Sequence, residues 1–274
     1  MFPVPVIEIA DRSFNEWWVG HDHKLNRLDY GLFLVKENCR GRNETFEIGA
    51  RTGFSDILEL RYKIPHWGRG KVFGAEAFFY FDQNDEIAVG IDGKNQLSYL
   101  AGNGIRKRYE AELSFWARPR LFTRHKINFD FYSQQIGRKA FAANPDYFLS
   151  RERKQSFFSV SYAFQFDKTD IHFYPMEGHY YSVKLAKEGL GVFNDVDQWR
   201  VKAITSHFFP LGNKGKWNYG GNVYLEWTSR QEQSFLDAPA LGFYELYSRS
   251  YEYYLLLGKT IVLNRNELKY KFFD

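Results

Sequence analysis

The stretch Arg108-Tyr109-Glu110-Ala111-Glu112-Leu113-Ser114-Phe115 alternates without a break. In an extended chain successive side chains point to opposite faces, so Tyr109, Ala111, Leu113 and Phe115 share one face. Arg108, Glu110, Glu112 and Ser114 share the other. Three ionised groups in mid-strand are prohibitively costly in a dry core. The stretch therefore calls for a sheet with one apolar face and one face against water.

The same pattern extends in both directions. Asp29 to Lys36 reads as the first strand, followed by a turn at Asn38-Cys-Arg-Gly-Arg-Asn43. Phe46, Ile48 and Ala50 then oppose Thr45, Glu47 and Arg51. Leu58, Leu60, Tyr62 and Ile64 oppose Glu59, Arg61 and Lys63, and Pro65 ends the run. Val72 to Phe81 follows. Downstream, Ile127, Phe129 and Phe131 oppose Lys126, Asn128 and Asp130. Further segments centre on Val160, Val183, Val201 and Leu225, and the closing run sets Glu267, Lys269 and Lys271 against Leu268, Tyr270 and Phe272. This makes roughly eleven strands of about 8–13 residues, long enough to cross a bilayer when tilted. Long polar loops are expected at 82–104, 137–154 and 231–258, in alternation with short turns, as in outer-membrane barrels.

Composition agrees. Aromatics are 19% of the 274 residues and charged residues 26%, abundances that fit together if the two classes interleave on opposite faces. The apolar face is rich in Phe, Tyr and Trp rather than the Val, Ile and Leu of a sandwich core. Several aromatics sit at strand ends (Phe54, Trp67, Phe81, Trp116, Trp227, Phe272), where headgroup-level girdles belong. The reading is all-β, a transmembrane antiparallel β-barrel, with a soluble sandwich or lipocalin-like barrel as the competing architecture. An open edge cannot sit in lipid, so the strands must close.

Other classes find little support. Lys and Arg are spread beside Asp and Glu at a net charge of +4, which is no nucleic-acid patch. Cys39 is the single cysteine, so neither an intramolecular disulfide nor an all-cysteine metal site is possible. His21 and His23 flank Asp22 on a polar loop, a pattern more often solvated than metal-binding. Ser156, Ser159 and Ser161 have no partnered His, and no catalytic, metal or cofactor residues are assigned. Trp17 and Trp18 are either an interfacial anchor or packing beneath the proline-bearing extended lead-in Phe2 to Ile9.

Several stretches together resemble the BamA/TamA family of outer-membrane assembly barrels (the bacterial surface antigen family). Asn38-Cys-Arg-Gly-Arg-Asn-Glu-Thr-Phe46 resembles the family's first hairpin. It leads through Gly53 into Leu60-Arg-Tyr-Lys-Ile-Pro65, similar to the third strand's Tyr-x-x-Pro ending. Tyr174-Pro-Met-Glu-Gly178 is similar to a Pro-x-x-Gly hairpin. Residues 2–18 look like the end of a periplasmic POTRA domain running into the barrel, in the style of Bacteroidetes members. Tyr247-Ser-Arg-Ser-Tyr251, with Gly258 and Asn266-Glu-Leu-Lys-Tyr270 beyond, resembles the family's inward-folded loop and the strand after it, although Ser250 stands where the signature has glycine.

The resemblance implies a lead-in at 1–27, a barrel domain at 28–274, and an inward-folded loop at about 235–260. The family's barrel has sixteen strands, so about eleven or twelve would be present here. No secretory signal is visible at Met1, and truncation of a longer precursor would account for both features. The implied role is insertion of other barrels into the outer membrane, or movement of polypeptide across it. The alternatives are a channel or transporter, or a lipid-modifying enzyme barrel. Implied partners are outer-membrane lipid, unfolded outer-membrane protein clients and periplasmic lipoproteins, with no nucleic acid. Arg249, Ser250 and Tyr251 would lock the loop, an arginine fork engaging carboxylates. Asp29, Tyr30, Gly31, Leu32, Phe33 and Leu34 would form a weakly paired seam strand. Glu59, Arg61, Glu110, Glu112, Asp130, Glu267 and Lys269 would line the inner wall.

Overall fold

The structure, a computed structural model, describes residues 1–274 other than 12, 69, 94–95, 149, 194, 213–215, 231–233, 236–237, 243–245, 247–253 and 273–274. The strands are β1 (Phe2–Ile9), β2 (Leu28–Cys39), β3 (Glu44–Gly53), β4 (Ser55–Trp67), β5 (Phe73–Ile91), β6 (Leu97–Arg120), β7 (Thr123–Ile136), β8 (Lys154–Thr169), β9 (Gly178–Glu188), β10 (Gln198–Leu211), β11 (Trp217–Thr228), β12 (Ala240–Leu241), β13 (Leu256–Leu257) and β14 (Thr260–Tyr270). Among the described residues one short helix, α1 (Arg138–Ala143), follows β7, and two helical turns, Glu16–Gly20 and Leu25–Arg27, lie between β1 and β2.

Twelve strands form one antiparallel sheet in the order β1 to β11 and then β14, while β12 and β13 pair separately. Every neighbour but one is a sequence neighbour. This is the meander that short turns dictate, and it is the topology of an up-and-down barrel wall. Among the described residues the ends of the order, β1 and β14, are not paired with each other.

Register carries the faces around the sheet. Ile48 lies opposite Leu60, Leu60 opposite Phe79, and Phe79 opposite Ala111. Leu113, Phe129 and Val160 continue the row. These side chains are largely exposed, as are Val183, Leu185, Val223 and Val262 further round. An exposed apolar face this continuous belongs against lipid.

Aromatics mark its limits. Near the short turns Trp67 stacks on Phe73, Phe166 packs on Tyr181, Phe209 on Tyr219, and Trp217 on Tyr270. On β10, Trp199 and Phe209 face lipid at opposite ends. Ten residues at about 3.3 Å each, tilted by about 40°, span roughly 25 Å along the membrane normal, the height of an outer-membrane apolar band.

Two expectations need correction. Residues 82–104 are not a polar loop, because β5 and β6 run on as a tall hairpin that turns only at 92–96. Register shifts between Asn84 and Glu86 and between Ala88 and Gly90 break the period of two there. Each bulge moves the alternation to the other face, which hides the strand from a pattern search. Asp29 to Lys36 is not the first strand of the sheet either. The proline-bearing lead-in is itself a strand, paired along its whole length with β2 from Phe2 opposite Val35 to Ile9 opposite Leu28.

Candidate functional site

The inner face is a wall of ion pairs. Glu59, Arg61, Glu110, Glu112 and Asp130 all lie on it, joined by register: Glu47 opposite Arg61, Glu59 opposite Tyr80, Glu110 opposite Tyr80 and Tyr132, and Glu112 opposite Asp130. Arg108 reaches Asp82 at 2.7 Å and Glu110 at 3.3 Å, and Lys126 reaches Glu112 at 3.0 Å. Arg61 stacks over Phe78 at 4.9 Å and stands 3.8 Å from Glu47. Arg51 bridges Glu8 of β1 and Glu59 of β4. Two acids are incompletely served: Asp82 Oδ1 and Asp130 Oδ1 are buried with no hydrogen-bond partner among the described residues.

Glu267 and Lys269 lie on the same face of β14. Lys269 donates to the Pro175 carbonyl at 2.8 Å, pairs with Glu267 at 2.8 Å, and sits over the Tyr174 ring at 4.2 Å. The Tyr174-Pro-Met turn thus tucks under the short-turn end of the wall. Asn218 fastens it further by donating to the Met176 carbonyl at 3.2 Å.

At the long-loop end the inner face turns apolar. Ile87, Ile105, Ile136, Ala140, Tyr147 and Phe148 form a buried cluster, against which Phe235 packs. Leu241 and Leu246 pack against Tyr224, Ile261 and Leu263 of β11 and β14. Residues of the long β11–β14 connection therefore touch the inner side of the sheet in two places. The loop motif Arg249, Ser250 and Tyr251 lies outside the described residues.

An arginine does dock by its fork, but it is Arg27. Its Nε and Nη2 donate to the Asp11 carboxylate at 2.9 and 2.6 Å, and its Nη1 donates to Glu86 at 2.8 Å. Its guanidinium also lies over Phe54 and Tyr99. Burial opposes its charge, but the hydrogen bonds and fields of Asp11 and Glu86 outweigh that, and its pKa is raised. Arg27 thereby clamps the 10–27 connection to the β5–β6 hairpin. Outside this clamp Phe14, Trp17, Trp18 and His23 stack on one another. Phe14 and Trp18 remain exposed.

Sequence reasoning missed Arg27, and also Arg200, which joins Glu188 at 2.9 Å to Glu226 at 2.7 Å across three strands. No motif marks either one. Both need the register, although Arg200 and Glu226 do fall on the polar side of their own strands.

Asp29, Tyr30, Gly31, Leu32, Phe33 and Leu34 lie on β2, which is hydrogen-bonded to β1 on one side and to β3 on the other. They are an interior strand of the sheet, and the outermost position belongs to β1. The buried Asp29 accepts from the Ser55 amide at 2.6 Å. At Gly31 β2 lies close against β3, since a Cβ there would overlap the Ala50 carbonyl oxygen.

One solved barrel shares this fold. BamA from Haemophilus ducreyi lacking POTRA domains 1–3 superposes with a TM-score of 0.56 at 12% identity, over 88% of this chain and 43% of that one. The chain thus spans less than half the length of that protein. The KdgM porin in complex with disordered oligogalacturonate aligns over 90% of this chain and 93% of that one, at a TM-score of 0.34 and 9% identity. No curated protein matches by sequence. The Omp85 superfamily domain matches residues 38–248. With most of its length inside that match, and with a lipid-facing apolar band around a charged inner wall, the chain belongs to the Omp85 superfamily of outer-membrane β-barrel proteins.

Proposed function

We propose that this chain is the barrel part of a non-catalytic assembly factor that inserts other β-barrels into the outer membrane. The observation that carries the reading is the outer side of β1. Its inner side is fully paired with β2, while its outer side carries Pro3 and Pro5, which have no N–H to give a neighbouring strand and so leave any pairing there incomplete. A strand edge of this kind presents backbone donors and acceptors to an incoming extended segment, which can add by β-augmentation. Clients are unfolded outer-membrane proteins arriving from the periplasm. The short-turn end, where the Tyr174-Pro-Met turn packs, is the side available to periplasmic lipoproteins.

A simple channel is the alternative. The apolar cluster around Ile136 and Phe235, together with the contacts of Leu241 and Leu246, argues against it, because such packing fills rather than wets the inner face. In the assembly reading the 235–260 loop folds inward and Arg249 locks it through wall carboxylates. The test is the full-length protein in liposomes, with Arg249→Ala, read by the folding rate of an added unfolded barrel protein. A drop of at least tenfold in the catalysed rate is expected. Unchanged client folding in the variant, or ion conductance with no client folding in the native protein, overturns the reading.

A further inference from the structure

The edge offered by β1 is uneven. A strand's backbone groups point alternately to its two neighbours. The Ala10 amide donates to the Arg27 carbonyl at 3.0 Å, which fixes the phase. Even-numbered residues of β1 therefore bond to β2, and Pro3, Pro5, Ile7 and Ile9 turn their backbone outward. The Phe54 amide donating to Leu28 at 3.2 Å gives the matching phase on the far side of β2. Proline has no N–H. The outer edge thus presents four carbonyls but has donors only at Ile7 and Ile9.

We propose that an extended client strand is held at the long-loop end of β1, over Ile7 and Ile9, and is only half-bonded over Pro3 and Pro5. This inference rests on the assembly reading above and adds a polarity to its edge. Opposite each proline a client carbonyl has no donor, a loss that lipid cannot make good. Edge prolines are a known device against runaway pairing. Here they leave the short-turn half of the edge loose, so a client can be gripped at one end and released along the other. The same phase puts the odd-numbered side chains on the lipid side, with Ile7 opposite Tyr30 and Pro5 opposite Leu32. Ile7 is 74% exposed. The strand that fits beside it carries apolar side chains on its lipid-facing side.

The test uses the full-length protein in liposomes with Cys39→Ser, bearing either Val4→Cys or Glu8→Cys. Both positions belong to bonded pairs with β2, so each would form a non-hydrogen-bonded pair with a client, where side chains come closest and a disulfide forms readily. The probe is an unfolded outer-membrane protein with single cysteines placed along its last strand. A several-fold higher adduct yield is expected at Glu8 than at Val4, and Pro3→Ala with Pro5→Ala should raise the Val4 yield to that of Glu8. Equal yields with both prolines in place, or no rise at Val4 on their replacement, overturn the polarity but leave the assembly reading standing. Adducts at neither position while client folding is still accelerated overturn β1 as the docking edge. Adducts at neither position without accelerated folding overturn both inferences.

Discussion

Arg27 and Asp11 form a bidentate pair, with Nε and Nη2 of the arginine at 2.9 and 2.6 Å from the carboxylate. The two side chains are 8% and 1% exposed, so the pair is sealed from water. It closes the connection between the outermost strand and the next one. The order of the β1 end of the sheet therefore depends on a contact made by neither strand.

Replacing Arg27 with Ala should free that connection. Breaking a buried pair leaves an uncompensated carboxylate and costs about 3–5 kcal/mol. The expected outcome is faster tryptic cleavage at Lys24 and a lower midpoint in a urea titration of the folded protein in micelles. Arg27→Lys should rescue only partly, because one ammonium cannot serve Asp11 and Glu86 with the geometry of a fork.

The wall's ion pairs should differ sharply in weight. Arg200 is 15% exposed and Glu226 only 5%, whereas Arg61 and Glu47 are 40% and 29% exposed and 3.8 Å apart. Arg200→Ala should therefore destabilise by about 3 kcal/mol or more. Arg61→Ala should cost about 0–1 kcal/mol. Parallel urea titrations in one detergent check the ordering, and equal midpoint shifts would contradict it.

Such differences mark where the sequence was legible. Alternation placed Glu59, Arg61, Glu110, Glu112, Asp130, Glu267 and Lys269 on one face, because a strand's two faces follow from its period alone. It did not tell which acid meets which base, since Arg200 reaches Glu188 and Glu226 only through the registers of three strands. It lost β5 and β6 beyond Asp82, where bulges reset the phase. It made β2 the outermost strand because Pro3 and Pro5 weaken the strand signal of β1, although an outward-facing proline is compatible with a strand that pairs on one side only.

The turn between β8 and β9 should respond to acid. Asp170 lies in an exposed turn; its slight desolvation alone would raise its pKa, but backbone amides including Glu177 and Met176 hold it below the usual value. Its side chain accepts from the Met176 amide at 3.0 Å and the Glu177 amide at 3.2 Å. A carboxyl whose folded pKa is depressed stabilises the fold above its unfolded value of about 3.9. That contribution disappears as pH falls through the lower, folded value. The Met176 and Glu177 amide resonances should titrate together with a midpoint below about 3.9, and Asp170→Asn should flatten both curves. This turn also supplies the Pro175 carbonyl to Lys269, so the Lys269 ammonium signal should move with them.

Gly31 should tolerate no side chain. An added Cβ meets the Ala50 carbonyl oxygen and the backbone of Arg51, and neither is the flexible end of a side chain. Both neighbouring strands are fixed by register, with Val6 on one side and Arg51 on the other, so β2 has nowhere to shift. Overpacking of this kind costs about 1–3 kcal/mol. Gly31→Val should loosen the β1–β2–β3 ladder locally before it unfolds the barrel. Amide exchange should then accelerate at Val4, Val6 and Leu32 while β7 to β10 stay protected. Unchanged exchange in β1 would mean that the first strand is held by its side chains, Glu8 on Arg51 among them, rather than by its backbone pairing with β2.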